Sequence, residues 1–194
     1  MFHWVNFLSY AIVTAITPGP NNIMSMSNAS RVGIRKFLPF NLGIWVGCFG
    51  LMLLCTLFCS TLSTVIPIIK LPIRIVGALY MLWLAWKTFK STGIAEKSAA
   101  KNSFFSAIAL QFLNPKLYIY GVVSVEAYIL PVYAGQWGML ALFAFVLSVI
   151  SFIATVCWAL FGSMFRLLFS KYAKITNTVM ALLLVYCAVS LFLA

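Results

Sequence analysis

Lys116 sits in the middle of a long apolar run, with more than ten residues of the same segment on either side. A lysine near a helix end can snorkel to the membrane surface, but one placed this deep costs about +2.5 to +3.5 kcal/mol on insertion scales. Such a cation needs a partner or a task. Just before it stand Gln111, Asn114 and Pro115, and far upstream the first apolar run is interrupted by Thr17-Pro18-Gly19-Pro20-Asn21-Asn22. A proline has no N–H to donate, so Pro18 and Pro20 leave the carbonyls of Thr14 and Ile16 without helical partners. The preceding residues, Thr17 and Gly19, are turned away from helical dihedrals. Unsatisfied backbone in hydrocarbon costs on the order of 2 to 7 kcal/mol per group, so such breaks survive only when buried in protein or lining a cavity.

The chemistry these residues offer is recognition of a zwitterion. Past each break a new half-helix begins with unpaired N–H groups and a partial positive end, which suits a carboxylate. Asn21, Asn22, Gln111 and Asn114 add amide donors and acceptors. The freed carbonyls of Thr14, Ile16 and Gln111 are expected to accept from an ammonium. The rival reading is that each asparagine merely caps its half-helix. The two readings are level for Asn22, while Asn21 and Asn114 are read as ligand contacts. Lys116 is assigned either to a substrate carboxylate or to proton coupling, since buried lysines exchange protons readily. Glu126, the only acid inside a span, is the other candidate for proton coupling. It lies ten residues past Lys116, roughly 15 Å along a helix, and reads as an interfacial carboxylate.

Other chemistries are excluded by inventory. One terminal histidine, no aspartate and two glutamates cannot build a metal cluster, a Ser-His-Asp triad or a carboxylate pair. No Walker or dinucleotide glycine pattern occurs, so no cofactor is expected. The five cysteines all lie in apolar segments without a CxxC and read as small buried hydrophobes.

The elements that must hold these residues are membrane helices. In a chain of 194 residues, 64% hydrophobic and 8% charged, there is room for six apolar spans of about 20 residues. The spans are expected near 4–30, 38–62, a third ending at Phe89, 103–130, 139–165 and 175–193. Pro39 is expected in the first turn of the second, and Pro67 and Pro72 are expected to bracket an outer turn. Gly43, Gly47 and Gly50 form a small-residue face for helix packing. The net charge of +11 suits topology better than nucleic acid. Ten of the thirteen basic residues fall in three clusters, after the first, third and fifth spans: Arg31, Arg35 and Lys36; Lys87, Lys90, Lys97 and Lys101; Arg166, Lys171 and Lys174. The cytoplasmic bias of Lys and Arg then places that face inside and both termini outside, with Lys70 and Arg74 in an outer loop. The first span has no basic leader before it and is expected to be retained.

The chain also divides in half. Residues 91–102 form a polar linker between 1–90 and 103–194, two halves of one membrane domain. An offset of 97 sets Pro18 on Pro115, Phe7 on Phe104 and Ser9 on Ser106, and one of 103 sets Val76, Ala78, Leu79, Ala85 and Phe89 on matching residues. Three spans per half make the second half enter from the opposite side. The fold class expected is therefore all-α and integral to the membrane, with two inverted-topology three-helix repeats and broken first and fourth helices, as in secondary transporters.

Thr17-Pro18-Gly19-Pro20-Asn21, the glycine-rich stretch Asn41 to Gly50, Leu79-Tyr80-x-x-Trp83-Leu84-Ala85-Trp86-Lys87 and Gln111-Phe112-x-Asn114-Pro115-Lys116 together resemble the LysE/RhtB amino-acid exporters. Cys157-Trp158-Ala159-Leu160 and the stretch Leu183 to Val189 are most similar to the cysteine/O-acetylserine exporter branch. The resemblance implies efflux of amino acids across the inner membrane, driven by the proton-motive force. The cation at the proposed site, with no acid beside it, favours a small neutral amino acid. The partners expected are that substrate, protons and lipid, without nucleic acid, and a homodimer is left open. A passive amino-acid channel or small-solute efflux pore is the alternative, and a lipid scaffold or a membrane enzyme fits the polar inventory less well.

Overall fold

The computed structural model describes residues 2–90, 104–165 and 171–193, so the expected linker, with Glu96, Lys97 and Lys101, and Arg166 lie outside the described residues. Every assigned element among the described residues is helical. The first apolar segment is two helices, α1 (Trp4–Ile16) and α2 (Pro20–Val32), followed by α3 (Ile34–Leu57) and α4 (Cys59–Phe89). The fourth segment is α5 (Phe104–Gln111) and α6 (Pro115–Ser124), continued by a π-helical turn, Val125–Ile129, and by α7 (Leu130–Tyr133). The long α8 (Trp137–Met164) and α9 (Ala173–Leu193) complete the chain.

α3 and α8 are long and apolar enough to cross a bilayer. The distribution of side chains across α8 is inside-out relative to a water-soluble protein: Leu142, Phe145, Ile153 and Leu160 are exposed while Ser148, Ser151 and Thr155 are buried. Water would drive the opposite arrangement, but a lipid solvent has no quarrel with exposed leucine.

Three boundaries differ from the sequence reading. α3 begins at Ile34, so Pro39 lies inside the helix rather than in its first turn. The reason is Gly33, whose φ of 82° lets it end α2 and start α3 as a single residue. The turn expected between Pro67 and Pro72 is instead at Phe58, and α4 runs unbroken through both prolines. Its 31 residues make a rod of about 46 Å, so roughly ten residues exceed a hydrocarbon layer of about 30 Å. Each interior proline frees a carbonyl one turn back, and α4 carries two of them without a break. Lys70 and Arg74 accordingly belong to a helix, not a loop. Finally, Pro131 does not stop the fourth segment. The preceding π turn, in which the Leu130 N–H reaches back to the Val125 carbonyl, carries the chain past it to Tyr133.

Packing follows a paired scheme: α3 lies against α8, and α4 against α9. α8 also takes α1 and α2, and α3 takes α5 and α6. The close approach of α3 to α5 explains two of the three glycines. A Cβ on Gly43 would strike the Phe104 carbonyl oxygen, and one on Gly47 would lie 2.6 Å from Gln111 Cγ, whereas Gly50 faces open space. Two apolar clusters result. One, around Ile23, Phe37, Phe40 and Met81, joins α2, α3 and α4. The other, around Phe7, Met52, Tyr120 and Phe143, joins α1, α3, α6 and α8. The two helix breaks lie between them.

Candidate functional site at the crossed helix breaks

The first break is an extended connection. Thr17 (φ −57°, ψ 147°) leaves α1 and Gly19 (φ −165°, ψ 173°) leads into α2, with Pro20 in its first turn. The second break is a tight turn from Gln111 to Asn114, with Pro115 in the first turn of α6. Pro20, rather than Pro18, therefore occupies the position equivalent to Pro115. In both cases proline opens a half-helix where its missing N–H costs nothing.

The two breaks touch. Lys116 Nζ donates to the Thr17 carbonyl oxygen at 2.8 Å and to Thr17 Oγ1 at 3.0 Å. Its side chain lies along Gly19, where an added Cβ would be 3.0 Å from Lys116 Cδ. Asn21 Nδ2 donates to Gln111 Oε1 at 2.7 Å, and Gln111 Nε2 donates in turn to the Ala107 carbonyl at 2.8 Å. A cationic tie and an amide tie thus join segments that are far apart in sequence.

The backbone groups released by the first break are already engaged. Thr17 Oγ1 donates to the Thr14 carbonyl at 2.8 Å. Asn22 Nδ2 donates to the carbonyls of Ala15 and Thr17, both at 2.8 Å. Trp158 Nε1, from α8, donates to the Ile16 carbonyl at 3.0 Å. At the second break the Gln111 carbonyl accepts from the Asn114 N–H at 3.1 Å. The expectation that Thr14, Ile16 and Gln111 present open carbonyls to a ligand ammonium is corrected here. The protein fills them itself, because an unmet carbonyl at this depth is too costly to leave. The ammonium found at the junction is that of Lys116.

The asparagines divide by task. Asn22 is 3% exposed and spends its amide on two carbonyls, which makes it a fastener for the end of α1. Asn114 caps α6, its Oδ1 accepting from the Lys116 backbone N–H at 3.2 Å. Its Nδ2 makes no hydrogen bond among the described residues, and Asn114 lines the cavity at the junction. That cavity is about 20 Å³ and is walled by Thr14, Gly19, Asn21, Asn114, Lys116 and Ser151, among others. It has room for about one water, too little for an amino acid. Pro20 also lines the cavity, whereas Thr17 and Pro18, which are exposed, and Gln111 and Pro115, which are buried, do not. Glu126 is not brought to this cavity; it is exposed on the π turn.

Two contributors were not singled out from sequence. Ser151 lines the cavity and Trp158 caps the first break, both from α8. The signal was present: Ser148, Ser151, Thr155 and Trp158 recur at three- and four-residue spacing, a polar stripe on an otherwise apolar helix.

At the basic end, Arg31 donates to Asn177 Oδ1 in the first turns of α9 at 3.0 Å and shares a cavity wall with Lys87 of α4. The segments bearing the three basic clusters therefore meet at one end of the bundle.

Comparison with known proteins agrees with this architecture. The family model for the LysE type translocator matches residues 12–194. The cysteine/O-acetylserine efflux protein of Escherichia coli (strain K12) is 40% identical over 190 residues, spanning 96% of this chain and 95% of that protein. The protein of the same description from Salmonella typhi is 38% identical over 188 residues, with the same shares covered. No solved structure matches significantly. With the match running through both helix breaks and nearly to both ends, the chain is a membrane transporter rather than an enzyme and belongs to the LysE type translocator family.

Proposed function

We propose that this chain exports small neutral amino acids, cysteine and O-acetylserine among them, from the cytoplasm across the inner membrane by proton-driven alternating access. The observation that carries the proposal is the meeting of the two broken helices, tied by Lys116 to Thr17 around a small polar cavity. The names of the relatives supply the substrate class.

In this reading the empty site is closed by a substitute for the substrate. The Lys116 ammonium rests on the Thr17 carbonyl and hydroxyl, groups that would equally accept the ammonium of an amino acid. An arriving zwitterion takes that position, and Lys116 turns to the carboxylate beside Asn114 Nδ2 and the N-terminal end of α6. Asn21 and Gln111 exchange one partner for the ligand, while Asn22, Pro18 and Gly19 hold the frame. Proton coupling is assigned first to Lys116, whose tie to Thr17 is strongest when it is protonated. Glu126 is the second choice, on the outer side.

The packing supports six spans arranged as inverted repeats. α3 pairs with α8 and α4 with α9, and the contacts of α1 with α8 and of α4 with α6 have counterparts in α3 with α5 and α9 with α2. These contacts have mates under exchange of the two halves, as a pseudo-twofold axis in the membrane plane would give, whereas those of α2 with α3, α1 with α6 and α3 with α4 have no mate of comparable extent among the described residues. The basic end faces the cytoplasm, with both termini outside.

Counterflow in proteoliposomes against a panel of amino acids tests the proposal. Cysteine and O-acetylserine should exchange, lysine and glutamate should not, and a pH gradient should accelerate net movement severalfold. Flux indifferent to the gradient and without counterflow would make the protein a passive channel.

A further inference from the structure

A second and much larger hollow lies toward the basic end of the bundle, and the broken-helix site makes no use of it. It measures about 430 Å³, and its walls include Asn28 and Arg31 of α2, Tyr80, Trp83 and Lys87 of α4, and Ser106 of α5. A narrow gap of about 10 Å³ joins it to the junction. Met24, Tyr80 and Leu110 border both the hollow and the gap, while Pro20, Asn21 and Asn114 border both the gap and the junction cavity. The three spaces therefore lie in series. The neck between them is closed by the Tyr80 hydroxyl, which points at Met24 Sδ from 3.8 Å.

The chemistry of the hollow is that of a carboxylate receptor. It has two cations and, among its described lining residues, no acid. Arg31 is oriented by its bond to Asn177 Oδ1, and Lys87 Nζ is held 5.0 Å above the Trp83 ring. Charges of one sign on low-dielectric walls concentrate counter-charged solutes. Asn28 donates its Nδ2 to the Met24 carbonyl at 3.0 Å, which leaves its Oδ1 as an acceptor for an ammonium. Its volume admits a small amino acid, which the junction as it stands does not.

We propose that this hollow is an antechamber, a separate binding station where Arg31 and Lys87 hold the carboxylate of an amino acid before it passes the Tyr80–Met24–Leu110 neck to the broken helices. The identity of the ligand rests on the exporter reading. The neck then works as an inner gate: a solute enters from the basic face and waits there until Tyr80 leaves Met24.

The test uses the full chain in everted membrane vesicles and radiolabelled L-cysteine kept reduced by a phosphine. Lys87 is exposed, so Lys87→Gln should fold; it should raise the KM for uptake about fivefold with kcat nearly unchanged. The difference should shrink in about 0.5 M salt, where exposed charges are screened. Leu110→Trp, or Leu110→Phe should the larger ring prevent folding, fills the neck. It should cut transport at least tenfold while the purified variant still binds labelled cysteine, and adding Lys87→Gln should weaken that binding about fivefold. An unchanged KM in Lys87→Gln, or a folded neck variant that loses binding along with transport, overturns the antechamber and leaves the exporter reading standing. A wild-type protein that moves no amino acid overturns both.

Discussion

The two helix breaks solve one problem by opposite means. At the second, the chain satisfies itself. Phe112, Leu113 and Asn114 donate N–H groups to carbonyls three residues back, at 3.1 to 3.2 Å, and the Asn114 side chain caps the following helix. At the first, almost nothing is local. The carbonyls from Ala15 to Thr17 depend on Asn22 from α2, Trp158 from α8 and Lys116 from α6. A locally bonded turn keeps its shape wherever its helix goes. A break bonded by other elements changes its partners whenever those elements move. The second break is thus the fixture and the first the adaptable member, and a ligand entering the junction competes with side chains rather than with the backbone of a turn.

Lys116→Met should have the largest effect, because it removes the cationic tie between the breaks. A hydrogen bond from a charged group is worth about 1.5 to 3 kcal/mol, so transport should fall on the order of 10- to 100-fold with membrane insertion retained. Normal efflux from the variant would remove Lys116 from the mechanism and reduce the contrast between the breaks to packing. Asn22→Ala comes next. It leaves the Ala15 carbonyl without its side-chain donor and the Thr17 carbonyl with Lys116 alone, at a cost of about 1 to 3 kcal/mol for the group left unsatisfied. Thermal unfolding in detergent should show a lower Tm and transport should weaken with it; an unmoved Tm would mean that water serves these carbonyls as well as Asn22 does.

How much of this was readable from sequence follows the same division. Proline marks both breaks, with glycine beside it at the first, because its effect is local, and an unpartnered lysine in an apolar run marks the site because its cost is local too. The partners of the first break were not readable, since Trp158 is 142 residues from Ile16 and only packing brings them together. The carbonyls of Thr14 and Ile16 were correctly identified as released, yet their occupants lay beyond any local rule. Gly43, Gly47 and Gly50 show the same limit: one spacing, but only the first two face a neighbour. The prolines of α4 misled in the opposite direction. Pro67 and Pro72 follow a local rule that disfavours a helix interior, yet α4 runs through both.

Asn114→Ala should be milder than Asn22→Ala, although both remove one buried asparagine near a break. The lost cap is worth about 0.5 to 2 kcal/mol, but the three backbone bonds of the turn remain, and the Lys116 N–H it served is in the first turn of α6, where water or a ligand can replace it. Transport should suffer more than stability, because the Nδ2 without a protein partner is lost as well. The smallest change is expected from Trp158→Phe, which keeps the ring and removes one donor, from the Ile16 carbonyl, at about 1 kcal/mol. If the first break truly depends on borrowed donors, the losses from Trp158→Phe and Asn22→Ala should exceed their sum when combined. Each donor shields the same short stretch, and removing both leaves α1 with no side-chain hold on the carbonyls of Ala15 and Ile16. Strict additivity in a double-mutant cycle would show instead that the two act independently, and that the first break is as self-sufficient as the second.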